Sequence, residues 1–142
     1  MSQPLYTTTA TSWGGRDGRV ATDDSKLDLA LSVPSGLGGD DGPGTNPEQL
    51  FASAWAACFH GALKAVARQD KVELGDSAVT VTLSIGGEFN SGLNFTAKIQ
   101  AELEGVDEGT AQDLINKAHE KCPYSRATRG NVDVMLETIT SA

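Results

Sequence analysis

The stretch from Asn46 to about Gln69 constrains the fold more than any other, because it reads as one long helix with almost no polar interruption. Asn46 offers a side-chain cap for the first turn. Pro47 fits the first helical position, where its missing N–H has no partner to lose, and Glu48 complements the positive end. Phe51, Ala54, Cys58, Ala62, Ala65 and Val66 then recur at three- and four-residue spacing and define one face. Lys64, Arg68 and Gln69 come late, so the helix is expected to be central and packed on most sides.

Strands flank this helix in the reading. Leu5–Ser12 is rich in threonine and strand-like, Trp13–Gly18 is a turn, and Arg19–Thr22 is the returning strand of a first hairpin. Lys26–Val33 alternates as a third strand. Pro34–Gly44 holds five glycines and two prolines and is a loop leading into the helix. Beyond the helix, Ala78–Ile85 and Leu93–Leu103 alternate almost without fault. Gly86-Gly87 and Asn90-Ser91-Gly92 supply turn chemistry between them, which makes an antiparallel pair with one dry face. Asp107–Lys121 returns to helical period with Ala111, Leu114, Ile115, Ala118 and Cys122 on one stripe, and Pro123 ends it at Cys122. Val132–Ile139 closes the chain as a strand. The expectation is an α+β fold of antiparallel sheets around a long central helix.

At 142 residues the chain fits a single domain, 1–142, large enough for a core without staples. Its net charge of −8 and lack of a Lys/Arg cluster argue against nucleic acid as a partner. No apolar run of signal-peptide type opens the chain, and no stretch reads as spanning a bilayer, so a cytoplasmic protein with no membrane partner is expected. In a reducing compartment two cysteines are chemical or merely buried rather than a permanent staple.

Cys58, His60, His119 and Cys122 resemble a zinc set on paper. Residues two apart on a helix point about 200° from each other, so Cys58 and His60 do not face one ion, and the histidines read as solvated or locally bonded. Cys58 alone reads equally as a small hydrophobe among Ala54, Ala57 and Ala62. Cys122 changes that weighing. The cysteines stand 64 positions apart, each on the core-facing stripe of its own helix, and meet if those helices pack side by side, which makes a redox pair a serious reading. A thiolate nucleophile also needs a cation, because Cys58 lies mid-helix, far from a helix start.

Asn46-Pro47-Glu48-Gln49-Leu50-Phe51 running into Ala56-Ala57-Cys58-Phe59, with Cys122-Pro123-Tyr124-Ser125-Arg126-Ala127-Thr128-Arg129-Gly130-Asn131 and the early Gly14-Gly15-Arg16, resembles the organic hydroperoxide resistance (Ohr) family of the Ohr/OsmC superfamily. The resemblance covers essentially the whole chain. Two departures are Trp55, where tyrosine is expected, and Arg126, where asparagine is expected. It implies a thiol peroxidase with no metal or flavin, acting on alkyl or fatty-acid hydroperoxides. In it Cys58 is the peroxidatic cysteine and Cys122 the resolving one, closing a Cys58–Cys122 disulfide after a sulfenic acid. Arg16, held by Glu48, steadies the thiolate and the developing oxygen charge. A lipoylated protein or free dihydrolipoamide is the implied external reductant.

Glu48 precedes Cys58 by ten residues on one helix, which is about 15 Å along its axis. A carboxylate does not reach back that far, so the implied site takes Arg16 and Glu48 from a second copy in an intertwined homodimer. Two other readings compete: an OsmC-branch peroxidase of broader peroxide choice, and a non-enzymatic acidic binding domain with inert cysteines.

Overall fold

The computed structural model describes residues 3–141, which separate into two units, Met1–Leu50 and Phe51–Ala142. In the first unit, β1 (Ala10–Trp13), β2 (Arg19–Thr22) and β3 (Asp28–Ala30) form an antiparallel meander in chain order. β1 is shorter than the Leu5–Ser12 expectation. Its partner runs out where Ala10 meets Thr22, and beyond that residue the chain turns back at Ser25, so the earlier threonines have no strand opposite them. β3 is likewise shorter than Lys26–Val33, because Leu31 leaves β2 and bridges Thr45 instead. The loop from Pro34 carries a single 3₁₀ turn, Ser35–Leu37.

Helix α1 spans Pro47–Gln69, with the Asn46 side chain accepting the Gln49 N–H at 2.8 Å, as the capping argument requires. Its buried stripe is not the expected one. Trp55, Phe59, Leu63, Val66 and Ala67 face the core, Phe51, Cys58 and Ala62 are half-buried at its margin, and Ala65 is exposed. The stripe is turned by about one position because large side chains four apart gain more from burial than alanines do. Against the expectation that no stretch comes near a membrane span, α1 is long and apolar enough by length and composition. Its many alanines raise that tally, while the helix contributes five residues to the core.

β4 (Ser77–Glu88) and β5 (Gly92–Glu104) pair antiparallel in continuous register from Ser77↔Leu103 to Glu88↔Gly92, as the alternation predicts. Gly86 and Gly87 lie within β4 rather than in the turn, which is confined to Phe89–Ser91. Val79, Val81 and Leu83 of β4 and Ala97, Ile99, Ala101 and Leu103 of β5 belong to the core cluster or pack against it. Helix α2 (Glu108–Lys121) is capped by Asp107, whose carboxylate accepts the Thr110 N–H at 2.7 Å. Ala111, Leu114, Ile115, Ala118 and Cys122 are all fully buried, so this stripe stands as read.

Two features were not legible. A short helix, α3 (Pro123–Thr128), follows α2 directly, and β6 (Asp133–Ser141) lies parallel to β5, from Thr96↔Asp133 to Glu104↔Ser141. The second sheet is therefore mixed, in the order β4-β5-β6, rather than wholly antiparallel. The reason is the connection: a helical crossover returns the chain to the end of β5 where that strand began, and only a parallel strand then fits.

Candidate active site

The turn between β1 and β2 holds Arg16. Gly14 and Gly15 take positive φ (83° and 75°), and a Cβ on Gly18 would stand 1.8 Å from the Trp13 carbonyl oxygen, so this 3₁₀ turn (Gly15–Asp17) needs its glycines. Arg16 thereby meets Glu48 in the first turn of α1, with Nη1 donating to Oε1 at 2.7 Å and Nη2 to Oε2 at 3.2 Å. The fork is bidentate. The hydrogen bond to Glu48 raises the Arg16 pKa, slight desolvation opposes it, and the Glu48 charge adds to the rise. This pair lies wholly within the first unit.

The second unit holds the other pair. Cys58 on α1 is half-buried, Cys122 is fully buried, and both are free thiols. Cys122 is the joint between two helices. Its N–H completes α2 on Ala118 O at 2.8 Å, and its carbonyl opens α3 by accepting the Arg126 N–H at 2.9 Å. Pro123 forces the extended backbone found there, φ −62° and ψ 124°.

Cys58 packs against the buried cluster that contains Cys122. Burial pushes the Cys58 thiol up first, and a hydrogen bond with Cys122 and the charge of that neighbour raise it further. The Tyr124 backbone N–H pulls the other way. That donor comes from the first turn of α3, the element that the sequence reading missed. Pro123 directly after a helix end was its available signal, since proline favours the first position of a new helix.

Aromatic rings gather beside this pair. Phe51 packs against Phe95 (centroids 5.4 Å), Tyr124 (6.1 Å) and Trp55 (5.7 Å). Phe51 and Phe95 are half-buried and Tyr124 is exposed, whereas Trp55 and Phe59 have no accessible surface. The candidate histidines are engaged separately. His60 Nε2 lies 2.8 Å from Ser77 Oγ, and the His119 ring stands 6.4 Å from that of Phe59 with a buried Nδ1 that has no partner. Desolvation, then the Arg129 charge, hold the His119 pKa down, and Glu120 opposes them. Among the described residues no three His, Cys, Asp or Glu side chains gather as a metal site.

Comparison with known proteins bears on these pairs. The OsmC-like protein model matches residues 38–137. An organic hydroperoxide resistance protein of Xanthomonas axonopodis pv. citri is 50% identical over 133 residues, 93% of each chain. The chain belongs to the Ohr/OsmC family. Two crystal structures of organic hydroperoxide resistance proteins superpose on this Ohr/OsmC chain. That from Legionella pneumophila has a TM-score of 0.92 at 44% identity, covering 96% of this chain and 99% of that one. That from Elizabethkingia anophelis has a TM-score of 0.93 at 42% identity, covering 99% and 100%. An OsmC-like protein of Mycoplasma pneumoniae shares the Ohr/OsmC fold at 15% identity, with a TM-score of 0.73 over 96% of this chain and 99% of that one.

Proposed function

We propose that this protein is a thiol peroxidase protecting against organic hydroperoxides. The observation that carries the reading is a partly open Cys58 packed against the cluster that holds a fully buried Cys122, with the rings of Phe51, Phe95 and Tyr124 gathered on the same unit. The names of its relatives support it. The Cys58 thiolate attacks the O–O bond, the alcohol leaves, and the sulfur becomes a sulfenic acid. The Cys122 thiol then condenses with it, releasing water and closing the disulfide. A dihydrolipoyl group, free or carried on a protein, reduces that bond and takes its place as the oxidised dithiol.

Arg16 supplies the cation. Burial and Cys122 both raise the Cys58 pKa, so the thiolate needs positive charge beyond its own surroundings, and a guanidinium already fixed by Glu48 provides it without reorganising. It comes from a second copy, for the reason of length along α1 already given, in a two-fold homodimer with two equivalent sites. Residues 1–142 act as one domain of that dimer, in the cytoplasm, with no resident cofactor.

The test is mass spectrometry after one equivalent of cumene hydroperoxide, followed by turnover with dihydrolipoamide. An intramolecular Cys58–Cys122 bond and turnover are expected; two thiols left free would end the peroxidase reading in favour of an inert binding domain. An apolar surround gains about 25 cal/mol per Å² of ligand it covers, so cumene and tert-butyl hydroperoxides should exceed hydrogen peroxide in kcat/KM. Equal values would favour the broader OsmC-branch reading.

A further inference from the structure

Trp55 stands three residues before Cys58 on α1, and Ser125 stands three residues after Cys122 in α3. Both are fully buried, and Trp55 Nε1–H donates to Ser125 Oγ at 3.1 Å. We infer that the Trp55–Ser125 hydrogen bond is a strut parallel to the thiol pair, holding α3 on α1 so that Cys122 stays within reach of Cys58 once Cys58 has been oxidised. The inference rests on the thiol-peroxidase reading and adds two positioning residues to it.

The physical case comes from what else ties the two segments at this level. In the reduced protein Cys58 packs against the buried cluster that contains Cys122, and this packing is itself a tie. An oxygen added to the Cys58 sulfur takes up room at that contact and disrupts that tie, just when Cys122 has to approach. α3 is only six residues long, and apart from the Tyr124 N–H, which acts on the very sulfur that oxidation changes, its bonds Arg126 N–H to Cys122 O, Arg129 N–H to Ser125 O, and Thr128 Oγ1 to the carbonyls of Tyr124 and Ser125 are internal. None of these reaches α1. The indole–hydroxyl bond does. It is also worth more buried than it would be in water, because losing either partner strands a polar group without solvent. Phe51 braces the same arrangement by packing on both Trp55 and Tyr124.

The chemistry separates into two balanced steps. In the first, Cys58–S⁻, a proton and ROOH give Cys58–SOH and ROH; in the second, Cys58–SOH and Cys122–SH give the disulfide and water. The strut acts on the second alone. Ser125→Ala, Trp55→Phe and the double variant are mixed with one equivalent of cumene hydroperoxide in the presence of dimedone, which captures the sulfenic acid. Loss of the Cys58 thiol and the ratio of dimedone adduct to disulfide are followed by quenched mass spectrometry.

Each single variant should close its disulfide about fivefold more slowly, with adduct accumulating in proportion, while the first step keeps its wild-type rate. The double variant should be no slower than the worse single one, because both remove the same bond. Wild-type closure in Ser125→Ala and Trp55→Phe overturns the strut and leaves the peroxidase reading standing, whatever their melting temperatures. Equal slowing of both steps also overturns it, as general damage. A wild-type protein giving neither adduct nor disulfide overturns the peroxidase reading, and the strut with it.

Discussion

The two units differ in what holds them. Phe51–Ala142 has a continuous core in which Trp55, Phe59, Leu63, Ile99, Leu103, Leu114 and Ile115 are sealed from solvent. In the Met1–Leu50 unit, only Ala21 and Leu31 are buried among the described residues, all of β1 is exposed, and Trp13 keeps 51% of its surface accessible. Its visible ties are backbone pairing and the surface forks Arg16–Glu48 and Arg19–Asp28, with Arg19 also lying 5.0 Å over the Trp13 ring. The lesson is that a residue's chemistry and its contribution to stability separate along this chain. The charged pair sits where little is buried, whereas the thiol pair spans the core, with Cys122 inside it and Cys58 at its margin.

Substitutions sharpen that contrast. The largest effect is expected in the thiol pair: Cys58→Ser abolishes peroxide consumption, whereas Cys122→Ser still undergoes one oxidation, read as a single equivalent of alcohol released. Arg16→Ala and Glu48→Ala come next, lowering kcat/KM by about 10²–10³-fold, the range for a lost charge-stabilising donor. Their melting temperatures should barely move, since exposed ion pairs hold little. Mixing inactive Cys58→Ser chains with the weakly active Glu48→Ala chains under subunit exchange should raise activity above that of Glu48→Ala alone. No rescue after proven exchange would return Glu48 to the role of a helix-start carboxylate.

The core responds in the opposite sense. Leu114→Ala should cost about 2–5 kcal/mol in denaturant unfolding, the range for truncating a sealed leucine, while any folded fraction keeps its reactivity toward peroxide. The smallest effect concerns His119. Its folded pKa is depressed, so the neutral ring contributes stability that is present above the unfolded value of about 6.5 and fades as pH falls through the folded one. His119→Gln should therefore flatten the loss of melting temperature between about pH 7 and pH 5, and an unchanged slope would remove the histidine from that account.

The legibility of the fold follows the same divide. Where period and caps agree, as at Asn46-Pro47-Glu48, Asp107 and the Ala111–Cys122 stripe, elements and buried faces follow from the sequence alone. Where pairing partners decide, local pattern misleads. β1 and β3 are cut short by the strands opposite them, and the direction of β6 depends on a crossover that no local period encodes. The α1 stripe was misjudged by weighing alanines equally with Trp55 and Phe59. The meeting of Arg16 with Glu48 followed from motif resemblance, since neither residue carries a local signal for the other across 32 positions. The juxtaposition of the two cysteines rested on helix stripes as well. The Trp55–Ser125 bond was invisible because it depends on α3, which only Pro123 hinted at.

Unequal access to the two sulfurs would give the proposed chemistry a direction. Cys122 presents no surface at all, while Cys58 remains partly open. Thiol–disulfide exchange is governed by which sulfur the incoming thiolate can touch as well as by which thiol leaves. In the proposed disulfide between these two atoms the visitor would dock on Cys58 with Cys122 as the leaving group, so the transient mixed disulfide with the proposed reductant would have one address. The same shielding would keep bulk oxidants from the inner sulfur, so on the proposed reading irreversible over-oxidation falls on the outer residue.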